Sequence, residues 1–272
     1  MSEPRSGQLP KFDAPPVVET VLGIEFVPLA QWDVPHFGLF WNEIRSEFPN
    51  FESKPPLGSA IESPEAMPVR LQLELQEKLD PRCWFLTDDK QRLIQVQNNR
   101  FLYNWRKGDS ATPYPEYDAS VRPAFARESK RFSDFLSTVG LGPIEVLQGE
   151  VTYVNHLEIG KGWLSAADLT NVLRCWAEPK GGTFLPSPEG VSLDVRYRFP
   201  KNLGRLHVSL RPAVRNTDGA EILQLKLTAR GRPEGSDLDS ALIWLDTGRE
   251  WVVRGFADLT TDAMHKIWRR RA

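Results

Sequence analysis

Residues 92–107, RLIQVQNNRFLYNWRK, gather amide, guanidinium and aromatic side chains at unusual density. If 100–106 is one strand, alternation sends Phe101, Tyr103 and Trp105 to one face and Arg100, Leu102, Asn104 and Arg106 to the other. Large rings in a row suit a core beneath a helix. The opposite row offers Arg100, Asn104 and Arg106 as donors for a carboxylate, a phosphate or a peptide backbone, with Arg able to grip an oxyanion through two parallel bonds. The competing expectation is that these groups bond neighbouring strands and loop carbonyls. Tyr114, Tyr153 and Asn155 join them as candidate ligand-binding residues. Tyr153 and Asn155, two apart, share a strand face, near Asn104 and Arg106 if the strands are adjacent. Arg196, Arg198, Arg205 and Arg211 form a further anion surface on paper, although interleaved acidic residues make a solvated sheet face the simpler expectation there.

Other kinds of chemistry lack their residues. Neither GxxxxGK[ST] nor GxGxxG follows a strand, and no GxSxG elbow occurs. His36, His156, His207 and His265 fall on different expected elements. Cys83 and Cys175 stand far apart, with no Cys or His at metal spacing, and read as two buried free thiols of a reducing compartment. No metal or cofactor is expected. No motif supports an enzyme, and no catalytic residue is assigned.

Composition sets the frame. The chain has 272 residues, 40% of them hydrophobic, with 14 Phe and 9 Trp, enough to bury a large aromatic core. With 34 basic against 36 acidic residues the net charge is −2, so no global field draws it to nucleic acid or an anionic membrane. The start, MSEPRSGQLPKFDAPP, lacks a signal-peptide core, and no apolar run approaches the length of a membrane span. A cytoplasmic protein is the default expectation.

The elements that must position these residues follow from periodicity. Residues 1–16 read as a flexible arm ending at Pro15-Pro16, and 17–27 as a half-buried strand. Phe37, Phe40, Trp41, Ile44 and Phe48 mark a helix over 34–48. A Pro- and Ser-rich loop spans 52–67, followed by strands at 69–75, 83–87, 93–97 and 100–106 in an antiparallel meander, then a helix over 121–139. A second series repeats the plan: a strand at 146–159, a helix at 165–176 with Ser165 as N-cap, strands at 191–199, 205–214 and 221–230, a helix at 238–259 and a short terminal helix from Thr260. The fold class is therefore α+β: two pseudo-repeated strand, helix, antiparallel sheet, helix units, 17–145 and 146–272, packed as one body with helices on a curved antiparallel sheet. This arrangement is analogous to TATA-binding-protein-like domains, an analogy of fold that carries no function.

The segments PPVVETVLGIEF, QVQNNRFLYNWRK, YPEY, VTYVNHLEI and the closing ALIWLDTGREWVVRGFADLTTDAMHKIW resemble, in order and over nearly the whole chain, a sporadically distributed, uncharacterised bacterial protein family. The resemblance implies no activity, cofactor or site residue; patchy occurrence suits mobile-element or defence genes. Three functions compete. The first is a non-enzymatic binding protein for a protein partner or a small anionic ligand. The second is a nucleic-acid binder using a curved sheet bearing Arg, Trp and Tyr, which near-neutral charge disfavours. The third is a metal-independent enzyme with Tyr153, Asn155, Asn104 and Arg106 around one pocket.

Overall fold

A computed structural model describes residues 7–63, 81–108, 113–177, 184–186 and 188–271. Nine strands among them form one antiparallel sheet: β1 (Val17–Phe26), β2 (Asn50–Lys54), β3 (Arg82–Leu86), β4 (Arg92–Gln97), β5 (Arg100–Arg106), β6 (Val146–Glu158), β7 (Leu193–Arg198), β8 (Arg205–Val214) and β9 (Glu221–Gly231). Their order is β2-β3-β4-β5-β1-β6-β9-β8-β7, so β1 and β6 pair at the centre, and after each of them the chain crosses to an edge and returns strand by strand toward the centre. The α+β class and the antiparallel sheet expected from periodicity are present. The strand expected at 69–75 lies outside the described residues.

Helices α1 (Val34–Ile44), α2 (Arg122–Thr138) and α4 (Leu238–Leu259) cover one face of the sheet, while α3 (Leu169–Val172) and α5 (Asp262–Ile267) are short. Sequence explains where the long ones start. Asp33 caps α1, its carboxylate accepting from Val34 N at 2.7 Å while His36 Nδ1 accepts from Asp33 N at 3.0 Å. Asp237 caps α4 by accepting from Ser240 N at 2.8 Å. None of the described helices is long and apolar enough to cross a membrane.

The core lies between helices and sheet. Phe101, Tyr103 and Trp105 point into it as their alternation requires, all buried, and the Phe101 ring stacks on Phe132 of α2 with centroids 5.2 Å apart. The Trp244 ring of α4 lies directly on β6, where a Cβ added to Gly149 would stand 2.4 Å from it. Glycine at 149 therefore sets how closely α4 approaches the sheet.

Several expected boundaries differ. The supposed loop over 52–67 begins inside β2, whose residues NFESK show no apolar alternation because this edge strand buries neither face. The helix expected over 165–176 is a 3-10 turn, Ala166–Asp168, followed only by α3, because Leu173 is extended and bridges Thr260. Helix α2 is preceded by a π-helical turn at Tyr117–Val121. Cys175, expected to be buried, is exposed; Cys83 is buried. The segment read as a flexible arm is tied to the other end of the chain in its latter part: Phe12 bridges Arg270, and Asp13 N and Ala14 N donate to Arg269 O and Trp268 O at 3.2 and 3.1 Å.

Candidate functional site

Pairing register assigns each candidate residue to a face. Leu22 pairs with Tyr103 on one side and Val151 on the other, so Thr20, Trp105 and Tyr153 share the helix-covered face. Val21, Asn104 and Thr152 turn to the opposite face, together with Glu19, Glu25, Arg100 and Arg106. Thus Tyr153 and Asn155 do not meet Asn104 and Arg106: the sheet separates them, and the single four-residue pocket expected of an enzyme does not form.

On the face away from the helices, the polar row is bonded internally. Arg82 Nη1 and Trp84 Nε1 donate to Gln95 Oε1 at 2.8 and 2.9 Å; Gln95 Nε2 donates to Asn104 Oδ1 at 2.8 Å. Asn104 Nδ2 and Arg106 Nε then converge on Glu19 Oε1 at 2.7 and 3.0 Å. Arg100 forms a buried ion pair with Glu25 at 2.6 Å. Residues 57–63 cross this face as a strap. Gln97 clasps Leu57 by both its amide groups, at 2.9 and 3.0 Å; Gln148 accepts from Glu62 N at 2.7 Å and donates to Ala60 O at 3.0 Å. Ser59 Oγ donates to Glu25 at 2.6 Å, and Arg100 donates to Gly58 O at 3.2 Å. Side-chain amides here do what a neighbouring strand would do, satisfying backbone groups that would otherwise be stranded on the sheet.

The other three candidates line a cavity of about 240 Å³ on the helix side. Its wall comes from four places: Phe12, Pro15 and Pro16 before β1; Tyr114 and Tyr117 ahead of α2; Tyr153 and Asn155 on β6; and Arg249, Val252 and Phe256 on α4. The Tyr114 and Tyr153 hydroxyls are hydrogen-bonded at 2.8 Å, and the Tyr114 ring packs edge-on against both Tyr153 and Trp105. Asn155 Nδ2 donates to Leu225 O at 3.1 Å. Arg249 lies over the Tyr117 ring, its guanidinium carbon 4.4 Å from the centroid, and its Nε is buried without a hydrogen-bond partner. Its nearest carboxylate, Asp118 at 3.4 Å, is 75% exposed, so solvent screens that pair.

Electrostatics fix the protonation of the phenols. Burial pushes Tyr114 far above its ordinary value of 10.0, with the adjoining Tyr153 adding to the effect. Burial likewise raises Tyr153, against weaker opposing effects from Tyr114 and Arg249. Tyr117 is raised by burial and then by Asp246, to which its hydroxyl donates at 3.0 Å. All three are neutral phenols at ordinary pH, so they offer hydrogen bonds and no base. Arg249 is the cation that α4 contributes; the rim adds Lys11 and Arg271 with the carboxylates of Asp13, Glu116 and Asp118, of which Asp13 pairs with Arg271 and Asp118 with Arg249. Such a site can hold an anionic head group against Arg249 and the paired hydroxyls while Phe12, Val252 and Phe256 cover an apolar body.

Arg249, Tyr117 and Phe12 were not among the residues the sequence singles out. The apolar stripe of α4 runs through Leu245, Val252 and Phe256 but breaks where Gly248 and Arg249 stand. A cation at helical spacing within a buried stripe was the available signal. Among the described residues, no three His, Cys, Asp or Glu side chains gather as metal ligands would. In comparisons with protein-family models, curated proteins and solved structures, nothing matches this chain.

Proposed function

We propose that this protein is a non-enzymatic binding protein whose ligand is a small organic carboxylate with an apolar, ring-sized body, held in the cavity between β6 and α4. The observation that carries this reading is Arg249: a largely covered guanidinium, paired among the described residues only with the exposed Asp118, on a cavity wall of neutral phenols and aromatic side chains. A cation kept half-buried without a close buried carboxylate costs stability unless an anion completes it. The Tyr114–Tyr153 pair, whose mutual bond uses one hydroxyl proton and leaves the other for a carboxylate, is suited to donate and, being neutral, unsuited to abstract a proton, which favours binding over catalysis.

The polar row of Arg100, Asn104 and Arg106 then has a structural role, bracing the sheet and anchoring the strap. A repeat of one ancestral unit is the companion proposal for the fold. It is supported by strand order: the first strand of each series, β1 or β6, is central, and the last, β5 or β9, lies beside it.

Thermal unfolding with a panel of benzoate, phenylacetate and their neutral amides tests the binding reading. Carboxylates are expected to raise the wild-type midpoint, since a ligand that binds only the folded state stabilises it by mass action. Arg249→Met should lose that rise and Arg249→Lys should keep part of it. Equal effects of acids and amides, or an undiminished rise in Arg249→Met, would remove the proposal.

A further inference from the structure

A second cavity, about 200 Å³, opens at the other end of β6, where the strap leaves the sheet. Arg198, Arg205 and Arg232 border it, with Gln148, Asn202 and the backbone of Gly204 and Gly231. Among the described residues a single carboxylate, that of Glu62 on the strap, lies within the lining. Its Oε2 accepts from Arg205 Nη1 at 2.7 Å and its Oε1 is 2.5 Å from His207 Nε2. Burial opposes the charge of Glu62, but the bonds from His207 and Arg205 outweigh it and hold the carboxyl below its ordinary value of 4.5. Glu62 is therefore a bound anion supplied by the chain itself. It does not neutralise the site, because Arg198 and Arg232 have no carboxylate partner among the described residues.

Register explains why the cations meet. Arg198 pairs with Arg205 across β7 and β8, and Arg205 pairs with Arg230 across β8 and β9, so all three point to the strap side of the sheet. Arg230 is occupied by Glu150 at 2.6 Å and Arg205 by Glu62 at 2.7 Å, which leaves Arg198 to the cavity. Arg232 reaches it from just beyond β9. Like charges directly opposite on a sheet are unfavourable unless an anion sits between them. Among the described residues Glu62 is the one carboxylate of the lining, and it is held by Arg205 and His207, so Arg198 and Arg232 border the cavity without one.

We infer that this cavity is an anion site for a small phosphorylated molecule, with Glu62 as its resident surrogate, displaced or joined by the phosphate. Guanidinium forks match phosphate oxygens in shape and charge, and a cavity of this volume admits one phosphoryl group with a small substituent. The site is independent of the carboxylate cavity: Gln148 and Asn155 are separated by seven residues of β6, about 23 Å of strand, and face opposite sides of the sheet.

Calorimetric titration with inorganic phosphate in a chloride-poor buffer tests this, using wild type, Glu62→Gln, and Glu62→Gln carrying Arg198→Ala and Arg232→Ala. Removing the competing charge should tighten phosphate binding by about tenfold or more over wild type, and deleting the two exposed arginines should abolish that gain. Arg249→Met should bind phosphate as wild type does, so this result stands apart from the fate of the carboxylate reading. Thermal melts report whether Glu62→Gln stays folded; if it does not, Arg198→Ala with Arg232→Ala in the wild-type background must still lower phosphate affinity. The inference is overturned if phosphate binds neither wild type nor folded Glu62→Gln saturably, if the arginine variants bind unchanged, or if a short oligonucleotide binds where phosphate does not.

Discussion

Arg100 and Arg249 show how burial and partners give one residue type two roles. Arg100 is paired with Glu25 at 2.6 Å, and both side chains are less than a tenth exposed. Breaking a buried pair from one side strands the other charge. Arg100→Met should therefore cost about 3–5 kcal/mol in urea unfolding, and adding Glu25→Leu should recover much of it; an Arg100→Met protein as stable as wild type would show that the pair does not hold this face together. Among the described residues the one carboxylate that Arg249 meets is instead the exposed Asp118, at 3.4 Å. The phenols beside it make a second prediction at this scale. Tyr114, Tyr117 and Tyr153 are raised in the fold above the ordinary 10.0, so they favour the folded state below pH 10 and withdraw that stability as pH climbs above it. Absorbance at 295 nm should show these three ionising only as the protein unfolds in alkali. Their phenolate signal near pH 10 with helices and sheet intact would contradict the burial described.

At the scale of elements, the seam between α4 and β6 positions the cavity. Gly149 and Gly248 admit the Trp244 ring between helix and strand, and Trp244 Nε1 donates to Leu203 O at 2.9 Å. Gly149→Ala would press a methyl group into that ring. A loss of about 1–3 kcal/mol is expected, read as a lower urea midpoint with an unchanged slope; no loss would mean that the seam yields freely. Sequence made much of this layer legible. Strands and helices with a buried face announce themselves by period, as Phe101, Tyr103 and Trp105 do in β5 and Phe125, Phe132 and Leu136 do in α2. Elements without such a face do not: β2 is exposed along its length, and the strap at 57–63 is held by amides from strands distant in sequence. Parity hid the rest. Tyr153 with Asn155, and Asn104 with Arg106, each share a face by spacing alone, but whether the two pairs meet depends on the register of both with β1.

For the whole molecule, the sheet divides two environments. Its helix side carries the aromatic core and, at one end, the cavity of Tyr114, Tyr153, Asn155 and Arg249; its other side carries the strap and the polar rows beneath it. That cavity draws its wall from the chain before β1, the approach to α2, β6 and α4, so an occupant would touch segments from both halves of the sequence. A ligand there should stabilise the molecule as a unit, coupling the N-terminal segment to α4. Calorimetric titration of phenylacetate and phenylacetamide into wild type and Arg249→Met tests that claim most directly. Saturable binding of the acid at one site per chain is expected, weakened by about tenfold or more either when the charge is removed from the ligand or when Arg249 is replaced. Equal affinity for acid and amide, or an Arg249→Met protein that binds the acid as wild type does, would contradict it.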